Sequence, residues 1–212
     1  MGLLKLGVLA SGRGSNLQAI IDAIERNELD ASIEVVISNR AGAKALERAK
    51  NHNIPAIYVD PKEYTGKEEY DLALVKVLKR YEVELVVLAG FMRLLTPRFI
   101  EHFPNRIVNI HPSLLPAFPG LEAQKQAWEY GVRYSGCTVH FVDENMDTGP
   151  IIDQEVVPVY QDDTAETLAE RILEREHRLY PRVLQWIAEG RVKVRGRKVY
   201  ISGLSNERND TA

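Results

Sequence analysis

The sequence predicts an α/β protein whose central sheet is doubly wound and mostly parallel. Short apolar segments alternate along the chain with segments whose apolar residues recur at helical spacing, which is typical of parallel sheets that carry helices on both faces. The first apolar segment leads into a glycine-containing loop and an amphipathic helix, as in Rossmann-like folds. Later segments predict an antiparallel strand addition and a long C-terminal helix. We expect a single domain over residues 1–190, with residues 191–212 as a hairpin and polar tail that belong to it.

The first half of the chain contains four apolar segments of strand length. They lie at residues 5–10, 33–37, 56–59 and 85–89. The segments between them predict three amphipathic helices: one with Leu17, Ile20, Ile21 and Ile24 on a single face, a second over residues 43–51, and a third over residues 68–81. The run at 85–89 is apolar at every position, so we expect a central strand that is buried on both faces.

Prolines shape the middle of the chain. A helix is expected to begin near Thr96 and Pro97, because threonine is a good N-cap and proline fits the first helical turn. A buried strand is expected at residues 106–110. The next nine residues contain three prolines, which exclude a regular helix or strand. Because a residue that precedes proline avoids the α region, His111, Leu115 and Phe118 should be extended.

An antiparallel pair of strands is expected in the second half of the chain. A helix over residues 122–130 precedes a segment at 134–142 that alternates like a strand with one wetter face. The polar turn at 143–150 then leads to a second strand at 151–157. This order indicates a hairpin-like addition to the parallel sheet.

The longest expected helix covers Ala165–Ala188, and we expect a kink or break where Pro181 interrupts it. Residues 192–202 predict a terminal hairpin. The polar tail at 206–212 is expected to be disordered.

Composition excludes several classes of protein. Apolar residues make up 45% of the chain, charged residues make up 27%, and the net charge of −3 gives no sign of a general nucleic-acid or membrane surface. No apolar run reaches the length of about 18 residues that a membrane helix needs. The single cysteine, Cys137, suits a reducing compartment. We expect a soluble, cytoplasmic protein that requires no metal, because no cluster with metal-ligand spacing occurs.

The loop at residues 12–16 predicts a small anion site. A strand, a glycine loop and a helix in succession point backbone N–H groups and the helix dipole at an anion. The dinucleotide fingerprint fails because Leu17 stands where the third glycine belongs, and no Gly-Lys-Ser/Thr follows. The side chains of Ser15 and Asn16 supply extra donors, so the loop fits one phosphate. The alternative is a tight turn that binds nothing.

Asn109 and His111 are the leading candidates for chemistry. Side chains two residues apart on an extended backbone share a face, which places an amide beside an imidazole. This pair suits a reaction that builds negative charge on a carbonyl oxygen. The alternative is that Asn109 caps a turn and His111 is a packed core histidine.

Two further segments have both structural and functional interpretations. The loop at 90–95 follows a central strand and offers apolar surface and backbone groups to a flat ligand, or simply fills the core. Asp147 lies in the polar turn beside Gly149 and Pro150, where an aspartate most often makes local hydrogen bonds.

Four strings together carry a family resemblance. They are SGRGSN at 11–16, LAGFMR at 88–93, NIHPSLLP at 109–116 and DTGPII at 147–152. The combination resembles the phosphoribosylglycinamide (GAR) formyltransferases, which transfer the formyl group of 10-formyltetrahydrofolate in de novo purine (IMP) biosynthesis. The resemblance covers roughly residues 5–190. The Asn-x-His and distant Asp are shared by the 10-formyltetrahydrofolate enzymes of this fold, whereas the Gly-Ser-Asn loop is particular to the GAR enzyme.

The resemblance implies a role for each matching residue. The implied catalytic residues are Asn109, His111 and Asp147. The residues implied to bind the GAR phosphate and ribose are Gly14, Ser15, Asn16 and Glu176. The residues implied to bind the folate are Met92, Arg93, Leu94, Leu95, Asn109 and Val142. The chain departs from the pattern at Glu122 and Gln124, near which many members of the family carry histidine.

The implied reaction agrees with the chemistry of these residues. The amine of GAR attacks the formyl carbon, and Asn109 and His111 donate to the oxyanion that forms. Asp147 holds His111 in a productive protonation state and relays a proton. The protonation state of His111 itself stays open. His52, His102, His140 and His177 lack such a partner and are expected to be surface or packing residues, although His140 lies near the expected folate side.

Charge and length disfavour three rival interpretations. Methionyl-tRNA formyltransferase would need a basic C-terminal domain, and formyltetrahydrofolate hydrolase would carry an extra N-terminal domain. A non-catalytic nucleotide-binding module would have no need of all three residues Asn109, His111 and Asp147. We therefore expect small-molecule substrates, no nucleic-acid or membrane partner, and a monomer or homodimer.

Overall fold

The protein is described by a computed structural model that covers residues 2–204. Its strands are β1 Leu4–Leu9, β2 Ala31–Ser38, β3 Ala56–Tyr58, β4 Leu85–Leu88, β5 Ile107–His111, β6 Tyr134–Phe141, β7 Ile151–Pro158, β8 Val192–Arg195 and β9 Lys198–Ile201. Its helices are α1 Ser15–Glu25, α2 Lys44–Asn51, α3 Lys67–Arg80, α4 Pro97–Ile100, α5 Ala123–Tyr130 and α6 Ala165–Ala188. A 3₁₀ turn at Pro61–Glu63 precedes α3.

The central sheet has seven strands in the order β3-β2-β1-β4-β5-β6-β7. Strands β1 to β5 run parallel, while β6 and β7 join in antiparallel pairs. This arrangement confirms the expected doubly wound sheet with an antiparallel addition. The strand order reverses at β1 and β4, and ligands of open α/β sheets bind at the carboxyl ends of strands near such a reversal.

Two apolar layers cover the sheet. One contains residues of α1, α2, α5 and α6, and the other contains residues of α3 and α4. Strand β4 contributes to both layers, since Leu85 and Val87 belong to the first and Val86 and Leu88 to the second. Burial on both faces explains why this strand is apolar at every position.

Strand β6 corrects one expectation, because neither face is wet. All residues from Ser135 to Phe141 are buried. The face predicted to be wetter carries Thr138, whose hydroxyl donates to the Ser113 carbonyl and accepts from the Leu115 N–H. The proline-containing segment therefore covers this face, whereas the buried Ser135 hydroxyl on the opposite face has no hydrogen-bond partner among the described residues. Within that segment Phe118 has a φ of 51°, so the expectation that it is extended is wrong.

Helix α6 continues through Pro181, so the break expected there does not occur. Leu179, Tyr180, Val183 and Leu184 flank the proline and are fully buried. Their packing stabilises the helix on both sides of the proline, where one backbone hydrogen bond is lost. Thr164 caps the helix in a reciprocal pair with Thr167.

Strands β8 and β9 form the expected C-terminal hairpin. The tail at 206–212 lies outside the described residues. Within residues 2–204, no helix combines the length and the apolar character that crossing a membrane requires.

Candidate active site

A cleft of about 640 Å³ opens at the carboxyl edge of the sheet. It is formed by the loops that follow β1, β4 and β5, by the β6–β7 loop and by α6. The sequence-predicted site residues all line it: Gly14, Ser15, Asn16, Met92, Arg93, Leu94, Leu95, Asn109, His111, Val142, Asp147 and Glu176. Asn16 and Glu176, which are 160 residues apart in sequence, therefore meet in one cleft.

The glycine loop is closely packed against α2. Gly14 is in the left-handed region, with φ of 70°, and a Cβ there would lie 2.8 Å from the Cα of Ala45. Helix α1 begins at Ser15, and its first backbone hydrogen bond runs from the Gln18 N–H to the Gly14 carbonyl. The earlier N–H groups of the helix take no part in that ladder, which is the arrangement that favours an anion.

Arg13 is a cleft residue that the sequence reasoning did not select. Its side chain is exposed at the loop and forms no ion pair with any residue between 2 and 204. Its carbonyl accepts from Nε of Arg48 at 2.9 Å, which fixes the backbone of the loop. A guanidinium next to a predicted phosphate site adds the charge that a helix N-terminus alone does not supply.

Glu176 connects α6 to the glycine loop. Nδ2 of Asn16 donates to its Oε2 at 2.7 Å, and only 6% of Glu176 is exposed. Burial raises the pKa of Glu176 to about 7, although the hydrogen bond from Asn16 acts in the opposite direction. Oδ1 of Asn16 is buried without a partner among the described residues. The pair thus has polar capacity that a ligand hydroxyl or amide would satisfy.

The loop after β4 forms an apolar shelf along the cleft. Met92 and Leu94 are exposed large apolar side chains, whereas Leu95 is buried. The Arg93 guanidinium stacks 4.6 Å from the centre of the Tyr70 ring. Large apolar side chains that face an open cleft favour the interpretation that this loop binds a flat ligand over the alternative that it fills the core.

His111 is the last residue of β5 and is buried. Its Nε2 lies 2.8 Å from the Phe118 carbonyl oxygen. Because a carbonyl only accepts, this contact assigns the hydrogen to Nε2 in the neutral ring. Nδ1 lies 3.4 Å from Oδ2 of Asp147, which is longer than an ordinary hydrogen bond. Nδ1 is therefore the nitrogen available to the carboxylate and to a substrate.

Asp147 makes a long-range contact in addition to sitting in its turn. Its Oδ2 accepts from the Gly120 N–H at 2.7 Å, across 27 residues. The local hydrogen bonds of the turn go to Asp143 instead, which accepts from the Asn145 N–H and the Thr148 hydroxyl. The carboxylate thus joins the β6–β7 loop to the proline-containing segment beside His111.

His140 corrects the expectation that the remaining histidines have no partner at the site. Nδ1 donates to the Phe141 carbonyl at 2.8 Å, so Nε2 accepts from Nδ2 of Asn109 at 3.3 Å. Nε2 also lies 3.7 Å from Oδ1 of Asp147. Burial lowers the pKa of His140, which favours the neutral ring. The register that pairs His140 with Asn109 has no signal in the sequence of either strand.

The departures from the family pattern also lie at the site. Glu122 and Gln124 line the cleft, and Glu122 is in the left-handed region just before α5. His52, His102 and His177 do not line the cleft. No group of three His, Cys, Asp or Glu residues within the part of the chain that the structure describes could hold a metal ion.

Comparisons with known proteins show which sequences and solved structures this chain resembles. The family model described as formyl transferase matches residues 4–184. The phosphoribosylglycinamide formyltransferase of Escherichia coli K12 is 42% identical over 200 residues, which cover 94% of each chain. The structure of glycinamide ribonucleotide transformylase 1 from Symbiobacterium toebii is 52% identical, with a TM-score of 0.93 over 94% of each chain.

Some relatives are much longer than this chain. The trifunctional purine biosynthetic protein adenosine-3 of Chironomus tentans is 50% identical over 192 residues, which cover 90% of this chain and 14% of that protein. The chain spans less than a fifth of the length of the trifunctional relatives it matches.

Proposed function

Because this chain belongs to the formyl transferase family, we propose that it transfers the formyl group of 10-formyltetrahydrofolate to the glycinamide amine of GAR. The products are formyl-GAR and tetrahydrofolate, in de novo purine biosynthesis. The observation that carries the proposal is a single cleft that holds an anion loop, an apolar shelf and the group Asn109, His111 and Asp147. Two small-molecule substrates fit such a cleft. The proposed setting is the cytoplasm, with the protein as a monomer or homodimer.

The phosphate of GAR binds at the glycine loop in this proposal. Backbone N–H groups of α1, together with the side chains of Ser15 and Asn16, donate to its oxygens. Glu176 accepts from a ribose hydroxyl, and its contact with Asn16 supports that position. These contacts hold the substrate at the end remote from its reacting amine.

The folate lies along the apolar shelf. Met92 and Leu94 supply exposed apolar surface, and Val142 lines the cleft at the end of β6. Backbone groups of the loop bind the polar edge of the pterin. Arg93 is held over the Tyr70 ring and contributes its charge at the edge of the same shelf.

The reaction begins when the free amine of GAR attacks the formyl carbon attached to N10. A carbon–nitrogen bond forms, and the carbonyl oxygen becomes an oxyanion. Nδ2 of Asn109 has a second N–H beyond the one directed to His140, and this N–H donates to the oxyanion. Loss of one such donor costs about 2.7–4 kcal/mol of barrier.

His111 acts through Nδ1 in this scheme. Its Nε2–H is occupied by the Phe118 carbonyl, so only the protonated ring carries an N–H that can reach the oxyanion. Asp147, at 3.4 Å, stabilises that imidazolium. As the intermediate collapses, the amine loses a proton, N10 gains one, and the bond between N10 and carbon breaks. Asp147 relays the proton through solvent water.

An ultraviolet assay of folate release tests the proposal. Purified protein is mixed with 10-formyltetrahydrofolate or a dideaza analogue, with and without GAR. We expect release that depends strictly on GAR. Release of the natural folate without GAR would instead identify a hydrolase. If both ligands bind and nothing is released, the protein is a binding module and the proposed function is wrong.

A further inference from the structure

Ser11 lies at the junction of the two loops that form the cleft. It follows β1 and directly precedes the glycine loop at 12–16. Its backbone N–H donates to the Gly90 carbonyl at 3.0 Å, and its hydroxyl oxygen accepts from the Met92 N–H at 2.8 Å. Only 2% of the residue is exposed, and it does not line the cleft. Ser11 therefore connects the glycine loop to the apolar shelf from a position outside the lining of the cleft.

The direction of these hydrogen bonds is fixed by Asn39. The Ser11 hydroxyl donates to Oδ1 of Asn39 at 2.6 Å. A hydroxyl has one hydrogen and two acceptor lone pairs, so its oxygen is left to accept from Met92. Asn39 follows β2, Ser11 follows β1, and Met92 follows β4. One hydroxyl thus joins the ends of three neighbouring strands where the strand order reverses.

The loop after β4, which forms the apolar shelf, is held at its C-terminal end by a separate contact. The N–H and the hydroxyl of Thr96 both donate to Oδ2 of Asp71, each at 2.7 Å. Asp71 belongs to α3 and is buried. This contact fixes the shelf at 96 but makes no connection to the glycine loop. The two anchors consequently affect different distances within the site.

We propose that Ser11 is a positioning residue that sets the glycine loop and the apolar shelf at the separation that aligns the two substrates. The inference rests on the proposed function, because it assigns GAR to the loop and the folate to the shelf. Without the hydroxyl, the Met92 N–H and Asn39 lose a partner inside the protein, and the shelf is free to shift relative to the glycine loop. Misplacement of about 1 Å between reacting groups can cost 100-fold in rate.

Steady-state kinetics of Ser11→Ala, Ser11→Thr and Asp71→Asn test this role. We expect Ser11→Ala to lower kcat at least tenfold with both substrates saturating, and to raise both KM values. Ser11→Thr, which keeps the hydroxyl, should restore kcat to within about threefold of wild type. Asp71→Asn is the matched control at the other anchor. It should raise KM for the formyl donor and leave KM for GAR within about twofold.

Several results would overturn the inference. A folded Ser11→Ala with a lower Tm but with kcat and both KM values within twofold of wild type would reduce Ser11 to a structural residue. A folded Ser11→Thr that behaves like Ser11→Ala would attribute the effect to packing. Asp71→Asn with the same profile as Ser11→Ala would deny any special link to the glycine loop. If Ser11→Ala does not fold, Asn39→Ala removes the other partner of the hydroxyl and carries the same kcat criterion.

The wild-type reaction separates this inference from the proposed function. Wild-type protein without GAR-dependent release counts against the proposed function itself. Wild-type protein that is active, with a Ser11→Ala variant that is equally active, counts only against the role of Ser11.

Discussion

Substitution of Gly14 by alanine gives the sharpest test of how the glycine loop is built. The residue is in the left-handed region, and the added Cβ would meet the Cα of Ala45 at 2.8 Å and its Cβ at 2.9 Å. Left-handed backbone costs a non-glycine residue about 1–2 kcal/mol, and overpacking costs about 1–3 kcal/mol. The contact involves helix backbone, so α2 cannot relieve it by a rotamer change. We expect Gly14→Ala to destabilise the protein by about 2–5 kcal/mol.

Gly90→Ala is the matched control, because φ there is 73° but no atom lies within 4 Å of the added Cβ. It should cost only the backbone strain of about 1–2 kcal/mol. At about 2–4 °C per kcal/mol for a protein of this size, Gly14→Ala should lower Tm by about 4–20 °C and Gly90→Ala by about 2–8 °C. Thermal unfolding followed by circular dichroism measures both. Equal losses in the two variants would refute the packing of Gly14 against α2.

Four further predictions concern the cleft. His111→Ala should lower kcat by about 100–1,000-fold with an unchanged circular dichroism spectrum, and near-wild-type turnover would remove its catalytic role. Asn16→Ala should mainly raise KM for GAR, and an unchanged KM would contradict the phosphate assignment. His140→Phe removes the acceptor of the Asn109 amide and should raise the activation free energy by about 1–3 kcal/mol, the cost of leaving that amide unpaired. The substrate KM values should stay near wild type, and an unchanged kcat would exclude a role for His140 in orienting Asn109. In the folded protein without ligands, Glu176 keeps its proton up to about pH 7, whereas in the unfolded chain it loses the proton near the ordinary pKa of 4.5. The free energy of unfolding should therefore fall as pH rises from 4.5 to 7, by up to about 3 kcal/mol. Denaturant unfolding at several pH values checks this against Glu176→Gln, which should lose that part of the dependence, and identical pH profiles would contradict it.

The sequence alone predicted the order and type of the main elements. Strand β4 is recognisable because burial on both faces requires an apolar residue at each position, and all four of its residues, Leu85–Leu88, are apolar. The two ligand loops and the Asn109–His111 pair are recognisable for a related reason. Each is a short motif at the end of a strand, and parallel strands place such ends at one edge of the sheet. Local patterns and this topological rule were enough to place these three segments together, whereas Val142, Asp147 and Glu176 were assigned to the site through the family resemblance.

Tertiary structure decided the features that depend on contacts between distant segments. The predicted wet face of β6 is buried because the segment that includes Ser113 and Leu115 packs on it, and nothing within the strand encodes that cover. His140 meets Asn109 through the register of an antiparallel pair, and a shift of one residue would turn its side chain to the opposite face. Asp147 accepts a hydrogen bond from the Gly120 N–H across 27 residues of sequence. Periodicity reports how each segment is buried, but register and loop packing are set by the free energy of the whole chain, so these partners emerge only when the segments are assembled.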